Sequence, residues 1–138
     1  MENTKDIKIF IVDNYDSFTY NLVHYLESFN VEVTVKRNDE FELQELASFD
    51  KIILSPGPGL PKNAGLMPKV IETYFVTKPI LGVCLGHQAL AEFFGAELIN
   101  LPEVFHGVAS SIEVDNSHYL FSGLDSKQEV GRYHSWTI

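Results

Sequence analysis

One stretch of the sequence decides the fold: ILGVCLGHQALAEFFG, residues 80–95. The apolar run Ile80–Val83 is typical of a buried strand. The residues after Cys84 predict a helix from about Leu85 to Phe94 that stops at Gly95. A strand that runs directly into a helix is typical of a parallel sheet with crossover helices.

The same alternation of strands and helices extends back to the beginning of the chain. Apolar runs predict strands at Ile7–Val12, Val31–Val35 and Lys51–Leu54, and amphipathic segments predict helices from Thr19 to Asn30, at Phe41–Phe49 and at Pro68–Phe75. After Gly95 the sequence becomes β-rich, with extended segments expected at Ala109–Val114 and from Glu129 to Ile138. We therefore expect an α/β fold in one domain over residues 1–138: three layers, a mostly parallel sheet flanked by helices, and a β-rich C-terminal part.

Composition and charge restrict the classes of function. A net charge of −9 would repel a phosphate backbone, so nucleic-acid binding is not expected. The single cysteine excludes an internal disulfide, and the polar residues 1–6 lack the apolar run of a secretory signal, which together favour the cytoplasm. The longest apolar runs are too short to cross a membrane.

The segment GVCLG, residues 82–86, has the form of a strand-to-helix elbow that carries a nucleophile. Two flanking glycines permit the sharp turn, and the positive end of the following helix would favour the thiolate of Cys84. The backbone N–H of Leu85 would then face a developing oxyanion. Most lone cysteines are buried and inert, but a cysteine between glycines at the start of a helix favours a nucleophile.

A second loop, Ser55–Pro61, is rich in proline and glycine and follows the strand Lys51–Leu54. It lacks the spacing of both nucleotide-binding motifs, since Lys62 stands where a dinucleotide fingerprint needs its last glycine. The N–H of Gly59 is free to donate and suits the second half of an oxyanion hole. A simple tight turn would explain the same residues.

Four motifs resemble one protein family over essentially the whole chain. GVCLGHQA (82–89) and SPGPG (55–59) resemble the nucleophile and oxyanion motifs of class I glutamine amidotransferases, which have a flavodoxin-like fold. DNYDSFTYN (13–21) and RYHS (132–135) resemble the glutaminase component (component II) of anthranilate synthase and of para-aminobenzoate (aminodeoxychorismate) synthase.

This resemblance implies a reaction and a set of residues. Cys84 would attack the side-chain amide of glutamine, form a glutamyl thioester and release ammonia, with oxyanion N–H groups from Gly59 and Leu85. Gln88 and the Ser135–Trp136 segment would contact the glutamine. The ammonia would pass to a chorismate-using synthase subunit (component I), and neither a cofactor nor a metal is implied.

The chain also departs from the family pattern. The His-x-Glu motif that activates the thiol in the family does not occur after Cys84, so the C-terminal end of the family fold is expected to be missing and the chain to be weakly active or inactive. None of the five histidines is expected to replace it: His24, His87, His106, His118 and His134. Val108 stands where relatives commonly carry lysine, and Trp136 where leucine is usual.

Two classes of function therefore remain open at this point. The chain is either a glutaminase subunit or a catalytically inactive module that docks on a synthase or holds glutamine. A peptidase or γ-glutamyl hydrolase would use the same elbow, but the first and last motifs argue against it. The residues do not separate the anthranilate pathway from the aminodeoxychorismate pathway.

Overall fold

The computed structural model describes residues 7–138, which fold as two compact units. One unit ends at Leu98 and also takes in Ile138, and the other spans Ile99–Thr137. The first contains the alternating strands and helices, and the second contains short antiparallel strands. That residues 1–138 act as one domain stays a prediction.

The first unit is built on a four-stranded sheet in the order β2-β1-β3-β4, in which every pair of neighbours is parallel. Its strands are β1 (Lys8–Asp13), β2 (Glu32–Arg37), β3 (Lys51–Leu54) and β4 (Ile80–Gly82). Its helices are α1 (Thr19–Glu27), α2 (Met67–Tyr74) and α3 (Leu85–Phe93), with 3-10 helical turns at Leu43–Ser48 and Pro61–Asn63. The predicted α/β fold with a mostly parallel sheet is confirmed.

Side chains of β1 and β3 alternate between two apolar layers, as the period of two along a strand requires. One layer contains side chains of β1 and β3 packed with α2 and α3: Phe10, Val12, Ile52, Leu54, Met67, Val70, Ile71, Leu85 and Ala89. The other contains Ile9, Ile11 and Ile53 and is covered by the apolar side of α1. The central strands β1 and β3 are therefore buried on both faces, which explains why they are continuous apolar runs in the sequence.

The helix expected at Phe41–Phe49 is a 3-10 helix at Leu43–Ser48. Its start is closed by a capping box, in which the side chains of Glu42 and Glu45 each accept a backbone N–H of the other residue. The carbonyl of Leu43 accepts the Tyr74 hydroxyl at 2.6 Å. A short segment tied at its first turn suits the tighter 3-10 form.

The second unit contains two separate antiparallel pairs. Strands β6 (Val108–Glu113) and β7 (Lys127–Arg132) pair along their whole length, and β5 (Ile99–Asn100) pairs with β8 (Trp136–Thr137). The extended run expected from Glu129 to Ile138 is thus divided between β7 and β8, because the two strands have different partners. Within residues 7–138, no helix is long and apolar enough to cross a bilayer.

Candidate active site

The register of the sheet brings three loops to one edge. Val12 of β1 lies beside Leu54 of β3, and Leu54 lies beside Gly82 of β4. The residues that follow these three strands therefore emerge together at the carboxyl edge, where parallel α/β sheets bind ligands. The three loops are DNYDS (13–17), SPGPG (55–59) and the elbow at Cys84.

The elbow has the strained backbone that its sequence predicts. Cys84 has φ 52° and ψ −107°, a conformation that residues with a side chain rarely adopt, and α3 begins at the next residue. A Cβ on Gly82 would lie 2.5 Å from the backbone of Gly86, and a Cβ on Gly86 would collide with the backbone carbonyl of Leu54. A side chain on Gly82 would therefore disturb the turn itself, and a side chain on Gly86 would disturb its contact with β3.

The side chain of Cys84 is exposed. The pKa of its thiol is nevertheless shifted in the direction that disfavours the thiolate. Partial burial is the largest effect on its pKa and raises it above the ordinary value of a thiol. A hydrogen bond from the Leu85 N–H lowers the pKa, and the Asp16 carboxylate raises it further. The net shift is upward, opposite to the direction expected from the helix dipole, because desolvation outweighs the single backbone donor.

The pH dependence of Cys84 alkylation should report this balance. We expect the rate with iodoacetamide to rise through a midpoint above that of a free thiol, because only the thiolate reacts. Asp16→Asn should move the midpoint to lower pH, since it removes a negative charge that opposes thiolate formation. Glu72→Gln, at an exposed glutamate paired with Lys69, should leave it unchanged. An unchanged midpoint in Asp16→Asn would contradict the assigned charge effect.

The proline- and glycine-rich loop lies between the first loop and the elbow. A Cβ on Gly57 would stand 2.5 Å from the Asn14 Cβ and 3.1 Å from a methyl carbon of Leu85. The structure therefore brings this loop into contact with Leu85, the other predicted oxyanion residue. Gly59 has φ +75° and is exposed, and among the described residues other than its chain neighbours no heavy atom lies within 4 Å of the position that its Cβ would occupy.

Gln88 lies one turn into α3 and is buried. Its backbone N–H donates to the Cys84 carbonyl at 2.9 Å, which closes the first turn of the helix. His87 occupies the exposed side of α3. The elbow thus places Cys84, Leu85 and Gln88 together at the start of one helix.

The remaining predicted site residues, Ser135 and Trp136, belong to the second unit. The Ser135 carbonyl accepts the Leu101 N–H at 2.7 Å, and the Trp136 carbonyl lies 2.9 Å from His134 Nδ1. His134 Nε2 accepts a hydrogen bond from Arg132 Nε at 3.1 Å, an arrangement that suits the tautomer that donates from Nδ1 to the Trp136 carbonyl. Both ring nitrogens of His134 therefore have hydrogen-bond partners, and one of these partners is the backbone of the Ser135–Trp136 segment.

Three other histidines have local partners. His24 lies 3.3 Å from the Glu27 carboxylate, His106 packs edge-on against Tyr133, and His118 accepts the Leu120 N–H. Within residues 7–138, no group of three or more His, Cys, Asp or Glu residues is arranged to hold a metal ion.

Sequence reasoning missed Asn14, a buried residue at the end of β1. Its backbone N–H donates to Ser55 Oγ and its side-chain amide donates to the Ser55 carbonyl, both at 2.8 Å. Its side-chain oxygen accepts a hydrogen bond from Asn38 at 3.0 Å. The available signal was an amide residue placed directly after a buried strand, within the motif at residues 13–21.

Comparison with known proteins identifies the family. Residues 10–138 match the protein family described as Glutamine amidotransferase class-I. The chain belongs to this family. The candidate site at the carboxyl edge, with Cys84 at the elbow, thus lies in a chain of the amidotransferase family.

Curated relatives of this amidotransferase chain are synthase subunits. It is 46% identical over 136 residues to "Anthranilate synthase component 2" of Thermus thermophilus, covering 97% of this chain and 66% of that protein. It is 44% identical over 132 residues to "Aminodeoxychorismate synthase component 2" of Escherichia coli, covering 94% of this chain and 70% of that protein. The chain spans about two thirds of the length of the curated relatives that it matches.

Solved structures share the fold. A Thermoplasma acidophilum protein superposes with a TM-score of 0.81 at 29% identity, covering 94% of this chain and 65% of that chain. A glutamine amidotransferase from Thermotoga maritima superposes with a TM-score of 0.76 at 17% identity, covering 95% of this chain and 61% of that chain. The second likeness shows the fold alone.

Proposed function

We propose that this amidotransferase chain is part of a glutaminase subunit that hydrolyses glutamine through Cys84 and delivers ammonia to a chorismate-aminating synthase subunit. The observation that carries the proposal is the elbow: a strained backbone presents the thiol at the surface, and the Leu85 N–H donates to it. Packing alone would not require a cysteine in this conformation, since glycine adopts it without strain.

The residues of the site are proposed to act in the following order. The thiolate of Cys84 attacks the amide carbon of glutamine, and the oxygen gains the negative charge. The N–H groups of Leu85 and Gly59 stabilise this oxyanion. The amide nitrogen takes up the proton that left the thiol, and ammonia leaves as the C–N bond breaks. Water then hydrolyses the thioester to glutamate and restores the thiol. Gln88, Ser135 and Trp136 hold the glutamine.

The first step needs a base, because the pKa of the Cys84 thiol is raised. His134 is occupied by Arg132 and Trp136, which argues against it. We propose that the base is supplied from outside residues 7–138, by a His-x-Glu segment or by the partner subunit. The isolated 138-residue chain should then be weakly active or inactive at neutral pH.

The partner is proposed from the names of the relatives. They are component 2 subunits of anthranilate synthase or of aminodeoxychorismate synthase, and a Bacillus subtilis relative, 43% identical, carries both names. We propose a cytoplasmic complex with a component I subunit that uses chorismate, in either pathway.

A second candidate is a catalytically inactive module that docks on such a synthase or binds glutamine. The raised pKa of the thiol favours it, because no lysine, arginine or histidine within residues 7–138 contributes to lowering that pKa. This module would retain the fold and a glutamine pocket without turnover.

Ammonia release from glutamine tests the two candidates. We would measure it for the chain alone, for the chain with component I of a relative, and for the chain extended by the C-terminal segment of the Thermus thermophilus relative, each beside Cys84→Ala. Little release by the chain alone and a large, Cys84-dependent increase in either of the other two would support the glutaminase. Saturable glutamine binding without ammonia in all three would support the inactive module.

A further inference from the structure

The Asn14 side chain uses both its amide donor and its oxygen acceptor toward neighbouring residues. Besides the contacts to Ser55 and Asn38, its side-chain amide donates to Met67 Sδ at 3.1 Å. The residue is 2% exposed, so each of these bonds is made away from water. A buried amide that is fully paired holds its partners in one arrangement, because any displacement leaves a polar group unsatisfied.

Its main partner is the first residue of the proposed oxyanion loop. Ser55 is fully buried, receives both the backbone N–H and the side-chain amide of Asn14, and donates its own hydroxyl to the Pro56 carbonyl at 2.7 Å. Residues 55–60 belong to no helix or strand. The position of this loop therefore depends on such individual bonds more than on a regular ladder of hydrogen bonds.

Steric contact supports the same role. The Cβ and carbonyl oxygen of Asn14 lie so close to Gly57 that a side chain there would meet both at 2.5 Å. The loop is thus held by hydrogen bonds at Ser55 and by close contact with Asn14 at Gly57. Gly59 follows two residues later.

Asn14 is itself held in place from the other side. Asn38, which donates to the Asn14 side-chain oxygen, receives a backbone bond from Leu66 and donates its own N–H to Asp13, at 2.8 and 2.9 Å. A Cβ on Gly65 would stand 2.5 Å from the Asn38 side-chain oxygen, which leaves that side chain little freedom. The support for the loop extends from the end of β1 to the segment before α2.

We propose that Asn14 is a positioning residue that fixes the Ser55–Gly59 loop, so that the Gly59 N–H faces the oxyanion formed at Cys84. The inference rests on the proposed glutaminase function. Asn14→Asp tests it most directly, because aspartate has the same shape but replaces the donor of two bonds by an oxygen that faces the Ser55 carbonyl. Ser55→Ala removes the loop's acceptor for the Asn14 N–H and serves as a second variant.

The experiment compares two reactions of the same thiol, both at a pH above its pKa so that no added base is needed. Acylation is followed by release of p-nitroaniline from γ-glutamyl-p-nitroanilide, which passes through an oxyanion. Alkylation by iodoacetamide is a displacement at carbon and forms none. We expect Asn14→Asp and Ser55→Ala to slow acylation by about 100-fold, the loss typical of a misplaced oxyanion donor, and to change alkylation by less than about 2-fold.

Val70→Ala is the matched control, since it weakens the buried core at α2 and takes no part in the hydrogen bonds that Asn14 and Ser55 make. It should leave the ratio of the two rates unchanged. If Asn14→Asp does not fold by circular dichroism, Ser55→Ala decides the outcome by the same ratio.

The possible failures are distinguishable. Wild-type chain that releases no more p-nitroaniline than Cys84→Ala would overturn the proposed function, and this inference with it. A second outcome is that the wild-type chain is acylated while the folded variants slow both reactions equally, or while Val70→Ala changes the ratio of the rates by the same factor. Either result would overturn the role of Asn14 and leave the proposed function standing.

Discussion

Gly86→Ala is expected to lower the free energy of unfolding by about 3 kcal/mol, a large part of the roughly 5–15 kcal/mol that is typical of a folded domain. Helix propensity alone predicts the opposite sign, because alanine within a helix is better than glycine by about 1 kcal/mol. The steric cost is expected to exceed this gain in helix propensity, because the new Cβ would overlap the backbone carbonyl and Cβ of Leu54. Leu54 is fully buried in β3 and has no room to move.

Urea unfolding followed by circular dichroism measures this effect. Gly95→Ala is the control at the other end of α3, since a Cβ there would meet no described atom within 4 Å and only the positive φ of +97° opposes it. We expect a loss of about 1 kcal/mol for the control. Equal losses in the two variants would show that the elbow does not depend on close contact between α3 and β3.

Cys84→Gly is expected to abolish reaction with thiol reagents and, at the same time, to stabilise the fold by about 1 kcal/mol relative to Cys84→Ala. The conformation of Cys84, φ 52° and ψ −107°, costs a residue with a Cβ about 1–3 kcal/mol. Glycine removes that cost but loses about 0.4–1 kcal/mol through its freer unfolded chain. Cys84→Ala removes the same thiol and keeps the strain.

The midpoint of urea unfolding, compared between the two variants, measures the difference. A higher midpoint for Cys84→Gly would mean that the fold maintains a strained backbone in order to present the sulfur. The same midpoint in both variants would contradict stored strain at the elbow. Iodoacetamide labelling, absent from both, serves as the control that no other residue reacts.

The central strands of the first unit were predictable because they are buried on both faces. A strand covered on two sides must be apolar at every position, as in Ile52–Leu54, so its limits are visible in the sequence. The second unit gave weaker signals. Strand β5 has two residues, and the division of the last extended run between β7 and β8 depends on partners elsewhere in that unit.

The sequence by itself determined the elbow. Two glycines around a cysteine, between an apolar strand and a helix, leave one local conformation open, and these residues are neighbours along the chain. Only the tertiary structure decided the rest of the site. Asn14 reaches Ser55 across 41 residues because β1 and β3 pair in one register. The direction of the Cys84 pKa shift follows from desolvation by the folded surroundings, a quantity that exists only once the chain has packed.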